Sequence, residues 1–162
     1  MEKIGEPKRP TGLSRFLYRM PIAFYRMGLG ALMGGRFIHL IHIGRKSGLK
    51  RETVIEVVEY DAREDVYYLA SGWGEGSDWY RNVLTTPEVN AQVGGRRFHG
   101  SAEKIDKEAA AELFSRYGKR HPRPLQTLAR MMGYRIEPND TDYRALGSEI
   151  PVVAIHVEDE NA

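Results

Sequence analysis

Five consecutive residues, Gly44-Arg45-Lys46-Ser47-Gly48, put two cations and a hydroxyl between glycines that let successive backbone amides converge, the donors a phosphate needs. A solvated basic hairpin turn has the same composition, so spacing alone leaves both readings open. The run is not a nucleotide P-loop, because too little glycine precedes Lys46-Ser47 and a strand rather than a helix is expected after it. Arg51 and Thr53 stand two apart in a segment of strand-like alternation and share a face that can meet the same ligand. Ser71 opens a second loop, Gly72-Trp73-Gly74-Glu75-Gly76, whose glycines lack the strand, helix and distant acid of a dinucleotide fingerprint. Beyond it, Trp79, Tyr80 and Asn82 combine an aromatic wall with an amide, suited to a planar ring that needs hydrogen bonds at its edge, with core packing as the competing reading.

Other chemistries find less support. The histidines His39, His42, His99, His121 and His156 have no familiar metal-ligand spacing, so no metal site is expected. With no Cys, disulfides, thiolate metal sites and cysteine nucleophiles are excluded together, in keeping with a reducing, cytoplasmic address. Ser47 and Ser71 lack the context of a nucleophile elbow, and no acidic pair suggests glycosidic acid-base work. His121-Pro122-Arg123-Pro124 is rigid and basic, fitting a substrate mouth or a packing corner.

The elements that must hold these residues belong to one domain, since 162 residues with 41% hydrophobic content support a single core. The formal charge of +2 is too balanced for a protein that coats nucleic acid, and none is expected as a partner. The positives are concentrated, however: from Lys8 to Arg51 there are ten, with no acid between Glu6 and Glu52. An anionic partner is therefore expected near the N-terminal third. Residues 1–12 read as a flexible polar arm and 159–162 as an acidic tail, leaving 13–158 as the domain. Apolar residues of Leu13–Met33 recur at helical spacing, broken by Pro21, Gly28 and Gly30. That stripe packs on the domain or a partner chain, or else rests on an anionic bilayer as a peripheral contact. No apolar run is long enough to span a membrane.

Strands are expected over 36–43, 51–60 and 66–70, then over 89–93 and 96–105 around a Gly94-Gly95 hairpin turn, and last over 151–157. A short helix capped by Ser77 or Asp78 runs to Thr86, an alanine-rich one follows Asp106 to about Tyr117, and another helical piece covers roughly Leu125–Tyr134. This order describes a mainly β chain in which a small antiparallel barrel, decorated by helices, removes exposed edges.

Taken in order, the Gly44–Gly48 turn, Arg51 and Thr53, the strand into Ser71-Gly72, Trp79-Tyr80-Arg81-Asn82-Val83, Pro87-Glu88-Val89 and the Gly94-Gly95 hairpin resemble the deazaflavin (F420)-dependent nitroreductase family. The resemblance spans roughly Phe37–Ile105 and implies a split, FMN-binding-like β-barrel with flanking helices, usually dimeric. It also implies hydride transfer from reduced F420 to an electron-poor small molecule such as a quinone, enone or nitroaromatic. By position, Arg45, Lys46, Ser47 and Arg51 would hold the phosphate and its acidic tail, and Thr53 would lie along the ring. Leu69, Ala70, Ser71 and Gly72 would contact the deazaflavin edge, with Trp79 and Asn82 closing the pocket. The chain departs from many relatives in having Gly72 where they have Lys, no Pro before Trp79, and His121-Pro122-Arg123-Pro124 where they have a Tyr-rich segment. Substrate identity therefore does not carry over, and no catalytic residue is assigned. FMN in the same fold, or ligand binding without catalysis, are the alternatives.

Overall fold

The computed structural model describes residues 1–7 and 21–160. In chain order the strands are β1 (Glu2–Lys3), β2 (Phe37–Ile43), β3 (Lys50–Asp61), β4 (Val66–Ala70), β5 (Glu88–Val93), β6 (Arg96–Lys104), β7 (Tyr134–Arg135) and β8 (Val152–Glu160). The helices are α1 (Asp78–Thr85), α2 (Lys107–Arg120), α3 (Pro122–Met131) and α4 (Asp140–Glu149). Residues 21–26 are also helical, and 3-10 turns occupy Gly30–Arg36 and Gly74–Gly76.

Alternation in β2 buries Ile38 and Leu40 on one side, and the strand pairs antiparallel with β3 on one edge and β5 on the other. All pairings around the closed barrel, in the order β2-β3-β4-β8-β6-β5, are antiparallel. The expected mainly β split barrel with flanking helices is what the chain forms. Ile38, Leu40, Leu69, Phe98, Val153 and Ile155 fill the barrel, and Trp79, Tyr80 and Val83 of α1 join that core. A second core lies where Leu113 and Phe114 of α2, Leu125 and Ala129 of α3 and Leu146 of α4 meet Val152. Gly147 permits the close α2–α4 approach, because a Cβ there would stand 2.6 Å from the Ala110 carbonyl oxygen.

The split lies along β3. This long strand pairs with β2 from Lys50 to Glu56 but with β4 only from Val57 to Asp61, a pairing interrupted by a register shift between Val57 and Glu59. Among the described residues, the Lys50–Glu56 edge thus has no strand on its β4 side, and residues 52–59 are all only half-buried.

Several expectations need correction. Glu2–Lys3 of the expected arm pair with Arg135–Tyr134, and Ile4 N–H donates to the Gly133 carbonyl at 2.7 Å; residues 8–12 lie outside the described set. Asp159 and Glu160 of the expected tail continue β8 opposite His99 and Phe98, where Glu160 meets Arg96 Nε at 2.6 Å. The third expected helix starts earlier, at Pro122, because proline fits a first helical turn whose N–H groups have no acceptor. The helix α4, capped by the Asn139 side chain accepting from Asp142 N–H at 2.8 Å, was not expected. Of the 13–33 stripe, residues 13–20 lie outside the described set.

Candidate cofactor site

The β2–β3 turn is built by its backbone. Gly44 N–H donates to the Leu49 carbonyl and Gly48 N–H to the Gly44 carbonyl, both at 2.8 Å, and Gly48 takes φ = 70°, a left-handed conformation that glycine adopts without steric cost. Facing the turn is the N-terminal part of α1. Asn82 is 4% exposed, and its Oδ1 accepts from Arg45 N–H at 3.0 Å and from Arg45 Nη1 at 2.9 Å. Arg45 Nη2 also pairs with Asp78 at 3.1 Å. Arg45 is therefore a braced structural cation, whereas Lys46 and Arg51 carry no ion pair among the described residues. The one hydrogen bond of the Arg51 side chain among the described residues is long, 3.4 Å to Ser47 Oγ.

These groups line a polar cavity of about 780 Å³ that also includes His42, Thr53, Ser77 and Trp79. Burial first, and then the nearby Arg51 charge, push the His42 imidazole down to about 4. A second, apolar cavity of about 540 Å³ adjoins the first; Glu52, Thr53, Trp73 and Trp79 line both. Its far side is formed by Phe114 and Tyr117 of α2 with Leu125, Leu128 and Met131 of α3. Tyr117 Oη, 3.4 Å from Glu56 Oε1, is a polar handle in this apolar half, and burial pushes its phenol up. At the junction, Glu52 is bonded by Arg26 Nε at 2.7 Å, which holds its carboxyl below the usual carboxylate range. Glu52 Oε1 also lies 3.2 Å from His39 Nε2, without hydrogen-bond alignment, and the His39 ring stacks on Tyr25 at 5.0 Å.

Residues 17–131 match the family model for F420H2-dependent quinone reductase. The chain belongs to that family. No curated protein matches it. Among solved structures it is similar to the F420-H2 dependent reductase FDR-A, at 20% identity and TM-score 0.51, covering 75% of this chain and 94% of that one. A domain-swapped dimer is similar at 18% identity and TM-score 0.53, covering 84% and 99%. A Clostridium acetobutylicum protein related to general stress protein 26, of the pyridoxinephosphate oxidase family, is 8% identical with TM-score 0.53, covering 84% of each chain. At these identities the likeness is one of fold.

In this quinone-reductase family member, the residues expected at the cofactor separate into three groups. Arg45, Lys46, Ser47, Arg51, Thr53, Trp79 and Asn82 line the polar cavity, and Thr53, Ala70, Gly72 and Trp79 the apolar one. Two others face elsewhere. Leu69 is fully buried in the barrel core. Ser71 is 1% exposed; its hydroxyl donates to the Gly74 carbonyl at 2.6 Å and meets Ser77 Oγ at 2.8 Å, so it pins the loop from within. Asn82 braces the basic turn rather than merely closing the pocket. The sequence reading gave no ligand role to His42, Glu52 or the α2–α3 wall, and named Trp73 only as part of its loop. The wall had a signal in the three-residue spacing of Leu125, Leu128 and Met131, but nothing in it says which face is open.

Proposed function

We propose that this chain is an F420H2-dependent oxidoreductase that passes a hydride to an electron-poor small molecule such as a quinone, enone or nitroaromatic. The observation that carries the reading is the two-part cleft: uncommitted cations Lys46 and Arg51 in one half, an apolar helix-lined half beyond, and Thr53, Trp73 and Trp79 where they meet. That donor set fits a ligand with an anionic tail and a planar ring, and the family match favours a deazaflavin. Lys46 and Arg51 would hold the phosphate and acidic tail, on a turn kept in place by Arg45 and Asn82. Thr53 and Trp79 would flank the ring. When bound, reduced F420 supplies the hydride; the protein's part is alignment of the two molecules and exclusion of water. The apolar wall of Phe114, Leu125, Leu128 and Met131 would shelter the acceptor, with the Tyr117 hydroxyl available as a hydrogen bond.

A homodimer belongs to the same proposal. It is supported by the domain-swapped dimer of the same fold and by the large apolar side chains of Met27 and Leu32, which are 72% and 76% exposed. Parallel titration of cofactor-free protein with oxidised F420 and FMN, followed by fluorescence, tests the cofactor. Selective, saturable F420 binding is expected and justifies an acceptor screen with F420H2. Preference for FMN moves the reading to a flavin enzyme of this fold, and binding of neither refutes it.

A further inference from the structure

The polar half of the cleft contains a buried imidazole to which neither the family resemblance nor the family match gives a role. His42 is 3% exposed, stands opposite Arg51 in the β2–β3 register, and lines the cavity that Lys46 and Arg51 share. A neighbouring side chain sets its tautomer. Asn82 Oδ1 is turned to Arg45, from which it accepts two hydrogen bonds, so Asn82 Nδ2 faces His42 Nδ1 at 3.2 Å. An amide NH2 only donates; Nδ1 must therefore accept, and the ring proton sits on Nε2. Among the described residues, the sealed polar atoms without a partner are His39 Nε2, Tyr80 Oη and Asn90 Oδ1. His42 Nε2 is not one of them and has no hydrogen-bond partner among the described residues, so it is not sealed, and the residue it belongs to lines the cavity.

We propose that His42 is a ligand-binding residue of this cleft, donating its Nε2–H to an anionic phosphoryl oxygen held beside Lys46 and Arg51. The inference rests on the proposed function only in taking the ligand to be phosphorylated. A neutral donor suits the place. Arg45, Lys46 and Arg51 already supply positive charge there, and an imidazolium buried beside Arg51 is disfavoured by both burial and repulsion. Asn82 then acts as a positioning residue for two ligand-facing groups at once, the basic turn and the imidazole.

The test uses the full chain with 15N-labelled histidine, titrated separately with oxidised F420 and with inorganic pyrophosphate, while NMR follows the His42 ring nitrogens. The free protein is expected to show the Nε2–H tautomer, and saturation with F420 to shift the Nε2 signal. His42→Leu should weaken F420 binding about tenfold or more, the contribution of a hydrogen bond to a charged group. His42→Gln, whose amide nitrogen reaches the Nε2 position, should stay within about threefold of wild type. An unmoved Nε2 signal with F420 bound, or wild-type affinity in His42→Leu, overturns the proposal. If the wild type binds no F420, the cofactor reading fails separately, and pyrophosphate decides. A shift of Nε2 then supports His42 as an anion donor, and no shift overturns it. If His42→Leu does not fold, the wild-type spectra and His42→Gln decide.

Discussion

Lys46 and Arg51 offer a separation of binding from stability that few residues in this cleft allow. Both are exposed, and among the described residues neither carries an ion pair and the Arg51 side chain makes one hydrogen bond, 3.4 Å to Ser47 Oγ. With both side chains exposed, neither replacement by Ala leaves a buried partner unsatisfied, so unfolding free energy should move by no more than about 0.5 kcal/mol. Binding is different. A charge-assisted hydrogen bond to phosphate or carboxylate makes each cation responsible for about tenfold in F420 affinity, and the pair for roughly a hundredfold if they act on separate oxygens. Affinity in the wild type should also fall with salt more steeply than in the double variant, because exposed charges are screened over about 10 Å at 0.1 M. Fluorescence titration at two salt concentrations, run beside urea unfolding, measures both quantities. Lys50→Ala is the control, an exposed cation one residue from Arg51 that lines neither cavity. Affinity within threefold of wild type in Lys46→Ala/Arg51→Ala, or a loss equalled by Lys50→Ala, would refute the reasoning.

Asn82→Ala should behave in the opposite way: losing the acceptor of two Arg45 donors and the donor to His42 costs about 2–4 kcal/mol of stability, seen as a lower urea midpoint. An unchanged midpoint would mean that the amide only closes the pocket. Gly147→Ala places a Cβ against the Ala110 backbone and should cost about 1–3 kcal/mol through overpacking between α2 and α4, a Tm drop visible by calorimetry; an unchanged Tm would show that the helices can part. His42 titrates near 6.5 when unfolded and about 4 when folded, so its contribution is fully present above 6.5 and is lost as pH falls from there to about 4. The loss amounts to about 3 kcal/mol, and the wild type should show more acid destabilisation over that window than His42→Gln. Parallel pH curves for the two would remove the basis for a neutral buried imidazole.

The barrel was legible in the sequence because its signals are local. A run rich in Phe and Ile marks β2, two-residue alternation marks β3, paired glycines mark the β5–β6 turn, and Asp106 marks the start of α2, where its side chain does accept from Ala109 N–H at 2.8 Å. The basic turn was legible for the same reason. What escaped depends on contacts distant in sequence. Residues 1–7 give no sign that Glu2–Lys3 will find Tyr134–Arg135. Ser71 has the type and place of a ligand contact, yet its hydroxyl turns inward to the Gly74 carbonyl, a direction fixed by the loop's own fold. Asn82 and Arg45 lie 37 residues apart, and only the docking of α1 on the barrel turns an apparent pocket amide into the brace of the basic turn.

The two halves of the cleft differ enough to orient a ligand without any residue at the reacting atoms. An anionic tail gains from Lys46 and Arg51 and loses solvation against Phe114, Leu125 and Met131, so the reversed pose is penalised at both ends. The ring of a tail-first ligand then falls at Thr53, Trp73 and Trp79, where the halves meet. Glu52 sharpens this division. It is an acid lining both cavities, but Arg26 compensates its charge, so it does not repel the tail unless that pair opens. Arg26 belongs to the helical segment 21–26, whose Pro21 and Ile22 line the apolar half. Cofactor affinity and acceptor access therefore meet at one ion pair. Displacing the segment would both open the apolar half and release a carboxylate toward the polar half. This link predicts that Arg26→Ala, at a residue that lines neither cavity, weakens F420 binding while leaving the tautomer of His42 unchanged.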